Sequence, residues 1–131
     1  MNNRDGLLSR LSSLINEDQK IIVGSSAIEE NQLFNRLYII DHQGKTIDFY
    51  DKQKLVLFGE YIPFVKPIVS KFLNLGMNYT PGTNQKILKL PKSINAAPMI
   101  CFESIFNYKS INTEVCNADM VIQISNDSWF G

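Results

Sequence analysis

Apolar residues near the start of the chain recur at Leu7, Leu8, Leu11, Leu14 and Ile15, with Arg10, Ser12, Ser13 and Asn16 between them. Steps of three and four predict an amphipathic helix capped near Asn3 or Asp5, whose apolar stripe needs a sheet to cover. The period then changes. Lys20-Ile21-Ile22-Val23-Gly24 is a short β-branched run suited to a buried strand that ends at Gly24-Ser25-Ser26. Phe34 to Asp41 and Thr46 to Tyr50 predict two further strands, joined as a hairpin by the turn His42-Gln43-Gly44-Lys45. An irregular stretch from Asp51 to Pro63 follows. From Pro67, the residues Ile68, Val69, Phe72, Leu73 and Leu75 predict a second amphipathic helix that stops at Gly76. Tyr79 to Thr83 is a turn cluster. Lys86 to Leu90 alternates as an edge strand closed by Pro91, and Asn95 to Cys101 reads as the central strand. A helix over Ser104 to Asn117 and a last apolar strand from Asp119 to Ser125 complete the pattern.

Strand and helix alternate, so the predicted class is α/β with layered packing. The last strand leaves an open edge with nothing after it to cover it, as expected of part of a larger domain. The 131 residues are enough for one domain and a core, and 44% hydrophobic residues is a globular value. Thirteen basic and thirteen acidic residues cancel, so no basic stripe points to nucleic acid. No apolar run approaches the ~18 residues of a membrane span, and Asn2-Asn3-Arg4-Asp5 is not the start of an export signal. The chain therefore reads as soluble. Two cysteines, Cys101 and Cys116, without a CxxC pair and with His42 as the single histidine, predict neither a metal site nor a disulfide framework. His42 lies in a turn and is expected to face solvent. Any cysteine chemistry here needs a carboxylate or an amine as its proton partner.

Three loops follow strands, and in layered α/β folds such loops gather at one end of the sheet. The first carries Lys52 and Glu60, the second Cys101 and Glu103, and the third Asn126, Asp127 and Trp129. Together a carboxylate could take the thiol proton, while an ammonium favours the thiolate and then holds the oxyanion of a tetrahedral intermediate. Each residue also has a plainer reading. Cys101 can be a small hydrophobe finishing a core strand, and Cys116 a filler on a helix. Lys52, in an Asp-Lys-Gln-Lys run, can be a solvated lysine. Glu60, in an otherwise apolar stretch, must be exposed or paired. Trp129-Phe130 can be packing, and Asn126-Asp127 a turn.

Three stretches shift that balance. Tyr50-Asp51-Lys52-Gln53-Lys54-Leu55-Val56-Leu57-Phe58-Gly59-Glu60-Tyr61-Ile62-Pro63 resembles the lysine-bearing loop of the carbon–nitrogen hydrolase (nitrilase) superfamily. Within it, the loop is most similar to that of the apolipoprotein N-acyltransferase family, which reads Tyr-x-Lys-x-x-Leu-Val-Pro-Phe-Gly-Glu-Tyr-x-Pro. Ile100-Cys101-Phe102-Glu103 resembles the Ile-Cys-Tyr-Glu nucleophile motif, and Ser125-Asn126-Asp127-Ser128-Trp129-Phe130-Gly131 resembles Ser-Asn-Asp-Ala-Trp-Phe-Gly. The resemblance runs from about Ile21 to Gly131. It implies one part of a nitrilase-like α-β-β-α sandwich, with residues 1–131 as a piece truncated at both ends. Cys101 would be the nucleophile and Lys52 the oxyanion-stabilising lysine. Glu60 would support the lysine and the cysteine, and Glu103 would be a further essential carboxylate. Phe102 and Trp129 would lie on the substrate side, Trp129 beside the entrance. The implied reaction needs no cofactor or metal. A cysteine thioester takes an acyl chain from a phospholipid and yields it to the α-amine of the N-terminal cysteine of an apolipoprotein. The family's catalytic domain faces the periplasm from the inner membrane.

The sequence departs from the family pattern at Leu57, where proline is usual, at Phe102, where tyrosine is usual, and at Lys54, often histidine. These touch loop shape and one hydroxyl hydrogen bond. The family's general-base glutamate follows a strand upstream of the helix near Leu7, and Glu29 and Glu30 do not match its Pro-Glu motif. Little or no turnover is therefore expected of this polypeptide alone, with other segments of the enzyme supplied on a separate chain. Two other readings stand beside this one: a non-catalytic truncated remnant, and a soluble nitrilase-type amidase.

Overall fold

Between Arg36 and Ile40 every residue is buried, yet the side chains divide between two layers because successive residues of a strand point to opposite faces. Leu37 and Ile39 join one apolar cluster, and Tyr38 and Ile40 join another. The computed structural model describes residues 10–56, 78–83, 86–105 and 117–126. These form six strands: β1 (Ile21–Glu29), β2 (Gln32–Ile40), β3 (Thr46–Asp51), β4 (Leu88–Leu90), β5 (Ile94–Ile100) and β6 (Met120–Ile124). β1, β2 and β3 make an antiparallel sheet in that order. In the second sheet β5 is central, antiparallel to β4 and parallel to β6.

The two sheets pack face to face. Leu37, Ile39 and Tyr50 of the first meet Leu88, Ala96 and Ile100 of the second, with Ile22, Leu90, Cys101, Ile122 and Ile124 around them. The sheets come close at Gly24, where a β-carbon would stand 2.8 Å from Cδ1 of Ile124. The outer face of the first sheet holds Ala27, Tyr38 and Ile40, flanked by Ile21, Val23 and Phe34. β5 is buried from Ala96 to Ile100 on both sides, which explains its unbroken apolar sequence. The two β layers of the expected sandwich are thus in place.

The β2–β3 hairpin, the edge position of β4 and the central position of β5 follow the apolar pattern. β1 does not. It continues five residues past Gly24, because Ser25 to Glu29 pair in register with β2 and a two-residue turn, Glu30-Asn31, closes the hairpin. Both turn residues have positive φ (49° and 62°), the twist that two-residue hairpins require. The turn after β2 is drawn tight by Asp41, whose carboxylate accepts the amides of Gln43 and Lys45 while its carbonyl accepts that of Gly44. The Lys45 amide, with help from that of Gln43, holds the Asp41 carboxyl below the ordinary carboxylate range. In this drawn-in turn His42 is half-buried rather than exposed. It lies at the opposite end of β3 from Lys52, about 20 Å away along a six-residue strand.

Of the first expected helix, Arg10 to Ser12 are helical and its start lies outside the described residues. The helix expected over 67–76 lies outside them too. So does most of the one expected over Ser104 to Asn117, whose beginning is a 3-10 turn, Cys101–Ile105. No helix among the described residues is long and apolar enough to cross a membrane.

Candidate active site

Lys52 is the first residue beyond β3 and is completely buried. Its backbone is held on both sides: its amide donates to the Asn35 carbonyl at 2.9 Å, and its carbonyl accepts the Gly82 amide at 2.9 Å. The segment 78–83 crosses the end of the first sheet there. Thr80 donates its amide to the Leu33 carbonyl at 2.6 Å, and the Tyr79 hydroxyl meets Ser26 Oγ at 2.8 Å. Position 82 must be glycine, because a β-carbon would fall 2.5 Å from the Asp51 carbonyl oxygen.

Glu103 is buried in the 3-10 turn that follows β5. Oε1 accepts from the Tyr50 hydroxyl (3.0 Å), the Gln53 amide (2.7 Å) and the Lys54 amide (3.0 Å), and Oε2 accepts from the Ile100 amide (2.8 Å). One carboxylate therefore fastens the loop that begins at Lys52 to the strand end that precedes Cys101. Residues 53 and 100, the neighbours of that lysine and that cysteine, are separated by no more than one carboxylate and two hydrogen bonds. Burial, reinforced by the charge and hydrogen bond of Glu103, pushes the Tyr50 hydroxyl far above the ordinary phenol range, so it stays a donor.

Cys101 sits one residue past β5 with φ of 54°, a left-handed backbone that residues bearing a β-carbon avoid. It is half-buried, in contact with the core between the sheets, and its carbonyl accepts from Gln123 Nε2 at 3.0 Å. Phe102, next to it, turns out to solvent and is 41% exposed.

A buried lysine after one strand and a kinked cysteine after another, joined through a glutamate, invite comparison with known proteins. A profile of the carbon–nitrogen hydrolase family matches residues 5–131, nearly the whole chain. The chain belongs to the carbon–nitrogen hydrolase family. Among relatives, it is 32% identical to apolipoprotein N-acyltransferase of Rhizobium rhizogenes, over 98% of this chain and 26% of that protein. It is 35% identical to apolipoprotein N-acyltransferase 2 of Treponema denticola, over 88% of this chain and 24% of that one. The chain thus spans about a quarter of the length of these relatives. Its fold is shared with a CN-hydrolase superfamily protein of Xanthomonas campestris (TM-score 0.63, 18% identity, 95% of this chain and 43% of that one). It is shared also with an amidase of Nesterenkonia sp. AN1 (TM-score 0.60, 15% identity, 92% and 41%).

In this carbon–nitrogen hydrolase domain Glu103, of the residues singled out in the sequence, ties the backbone just after Lys52 to the backbone just before Cys101. Phe102 is next to Cys101, while Glu60 and Trp129 lie outside the described residues. Two contributors escape a reading of the sequence: the Tyr50 hydroxyl on Glu103 and the Gln123 side chain on the Cys101 carbonyl. For Tyr50 the available signal was its place in the lysine motif, two residues before Lys52.

Proposed function

We propose that this chain is part of the catalytic domain of an apolipoprotein N-acyltransferase. The Cys101 thiolate attacks the ester carbonyl of a phospholipid, and the oxyanion that forms is met by the Lys52 ammonium. Collapse breaks the bond to the glycerol oxygen. The lysophospholipid leaves with the proton that the thiol gave up, and the acyl chain remains as a thioester. The α-amine of an apolipoprotein's N-terminal cysteine then attacks that thioester and loses a proton, and the thiolate departs, leaving an amide. Glu60 supports Lys52 and Cys101, and Phe102 and Trp129 face the substrate. Glu103 holds the lysine loop against the cysteine turn. By family the reaction takes place at the inner membrane on its periplasmic side, with residues 1–131 acting alongside other segments of the enzyme.

The observation that carries this reading is the Glu103 carboxylate accepting from both Gln53 and Ile100, because it makes the lysine loop and the cysteine turn one unit. Similarity to the two acyltransferases supports the choice of reaction. The test is alkylation with iodoacetamide across pH. Cys101 is expected to react readily below pH 8 while Cys116 stays inert, and Lys52→Met is expected to slow Cys101 about tenfold at neutral pH. Equal, slow labelling of both thiols would overturn the reading. With diacyl phospholipid vesicles, any adduct is expected on Cys101 and to be cleaved by hydroxylamine. Ammonia release from simple amides without a lipid adduct would assign an amidase instead.

A further inference from the structure

On the outer face of the first sheet, away from the core between the layers, an arginine is buried. Arg36 is 4% exposed, and all three of its guanidinium nitrogens are engaged. Nε donates to Asp51 Oδ1 at 2.6 Å, Nη2 to Asp51 Oδ2 at 2.9 Å, and Nη1 to Glu29 Oε1 at 2.5 Å. The guanidinium carbon stands 3.9 Å from the centre of the Phe49 ring. Burial opposes its charge, and Glu29 and Asp51 more than restore it; the Arg36 hydrogen bond in turn holds Glu29 below the ordinary carboxylate range.

A buried ion pair is a poor device for stability alone, since well-packed apolar residues do as well or better, but it specifies one arrangement among several. Here the arrangement concerns the residue next door. Asp51 is the last residue of β3 and pairs with Arg36, and Lys52 follows it. Pleating sends adjacent side chains to opposite faces, so an outward Asp51 puts Lys52 on the inner face, where Cys101 also packs. A slip of one residue would exchange the two. The hairpin already shifts register between Ile39 and Ile40, with Ile47 as the extra residue, so its ladder alone does not fix the far end. A two-pronged guanidinium on a carboxylate fits one position only.

We propose that Arg36 is a positioning residue: its fork on Asp51 sets the register of the last β3 residue and thereby keeps Lys52 buried on the cysteine side of the sheet. The purpose of that burial rests on the function proposed above; the geometry does not.

The test labels the full chain with N-hydroxysuccinimide acetate and follows acylation of Lys52 by mass spectrometry. Amide exchange at Ala97 and Met99 of β5 reports on the fold as a whole. Losing a charged hydrogen bond at this point is expected to speed Lys52 labelling about tenfold or more in Asp51→Asn and Arg36→Met, with β5 still protected. Glu29→Gln leaves the fork intact and is expected to label as the wild type. Lys52 as protected in Asp51→Asn as in the wild type would overturn the inference. So would loss of β5 protection in step with labelling, which is ordinary unfolding. If Arg36→Met does not fold, the isosteric Asp51→Asn decides alone. Labelling of Lys52 in Asp51→Asn, combined with unchanged Cys101 alkylation in Lys52→Met, would uphold Arg36 as a positioning residue and defeat the proposed role of the lysine.

Discussion

A carboxylate offers about two lone-pair sites on each oxygen; at Glu103 the donors Tyr50, Gln53 and Lys54 crowd Oε1, and Ile100 takes one site of Oε2. A side chain so occupied holds its neighbours in place. Glu103→Gln would turn one acceptor oxygen into a donor facing an N–H, whichever way the amide is set. The expected loss is about 2–4 kcal/mol, or roughly 10 °C in Tm for a chain of this size, measured by circular dichroism. An unchanged melting curve would mean that the carboxylate does not bind these donors in solution. Cys101, Lys52 and Glu103 could be singled out as candidates in the sequence because each stands in a short motif. The part played by Tyr50 was not. An aromatic residue in an alternating strand reads as core, and its place in the lysine motif does not tell that its hydroxyl will meet a carboxylate 53 positions later.

Among the elements, the hairpins with strong alternation could be read directly, and β2 and β3 lie where the apolar spacing puts them. The end of β1 could not, because Ser25, Ser26 and Glu29 carry no apolar code and owe their extended form to pairing with β2. That the two sheets form one sandwich was implied by the resemblance, whereas their close contact at Gly24 depends on how the two layers pack. A β-carbon there is met by the far end of the Ile124 side chain, which can turn aside, so Gly24→Ala is expected to destabilise by no more than about 1 kcal/mol through overpacking. Shortening the neighbour by one methyl in Ile124→Val should recover part of that loss. A double-mutant cycle in urea would show the two substitutions coupled, and strictly additive effects would argue against the contact.

For the molecule as a whole, the hydrogen bond from Tyr50 to Glu103 ties the first sheet to the turn that leaves the second. It also gives folding a dependence on alkaline pH. An unfolded tyrosine loses its proton near pH 10, whereas burial and Glu103 raise the value in the folded chain. The unfolded state therefore holds fewer protons above pH 10. Stability from this group is complete below that point and falls as pH rises beyond it. Urea midpoints measured from pH 9 to 12 should decline above pH 10, and Tyr50→Phe should flatten that decline. A wild-type curve no steeper than that of the variant would contradict the assignment.

The left-handed backbone of Cys101 has a consequence for how the chain ages and warms. A residue with a β-carbon in that region is disfavoured by about 1–2 kcal/mol, and here it is kept there by the Gln123 side chain on its own carbonyl and by Glu103 on the amide before it. The kink behaves as a sprung catch. If Cys101 acts as proposed, whatever loosens those two fastenings is expected to free the sulfur from its aim before the sheets part.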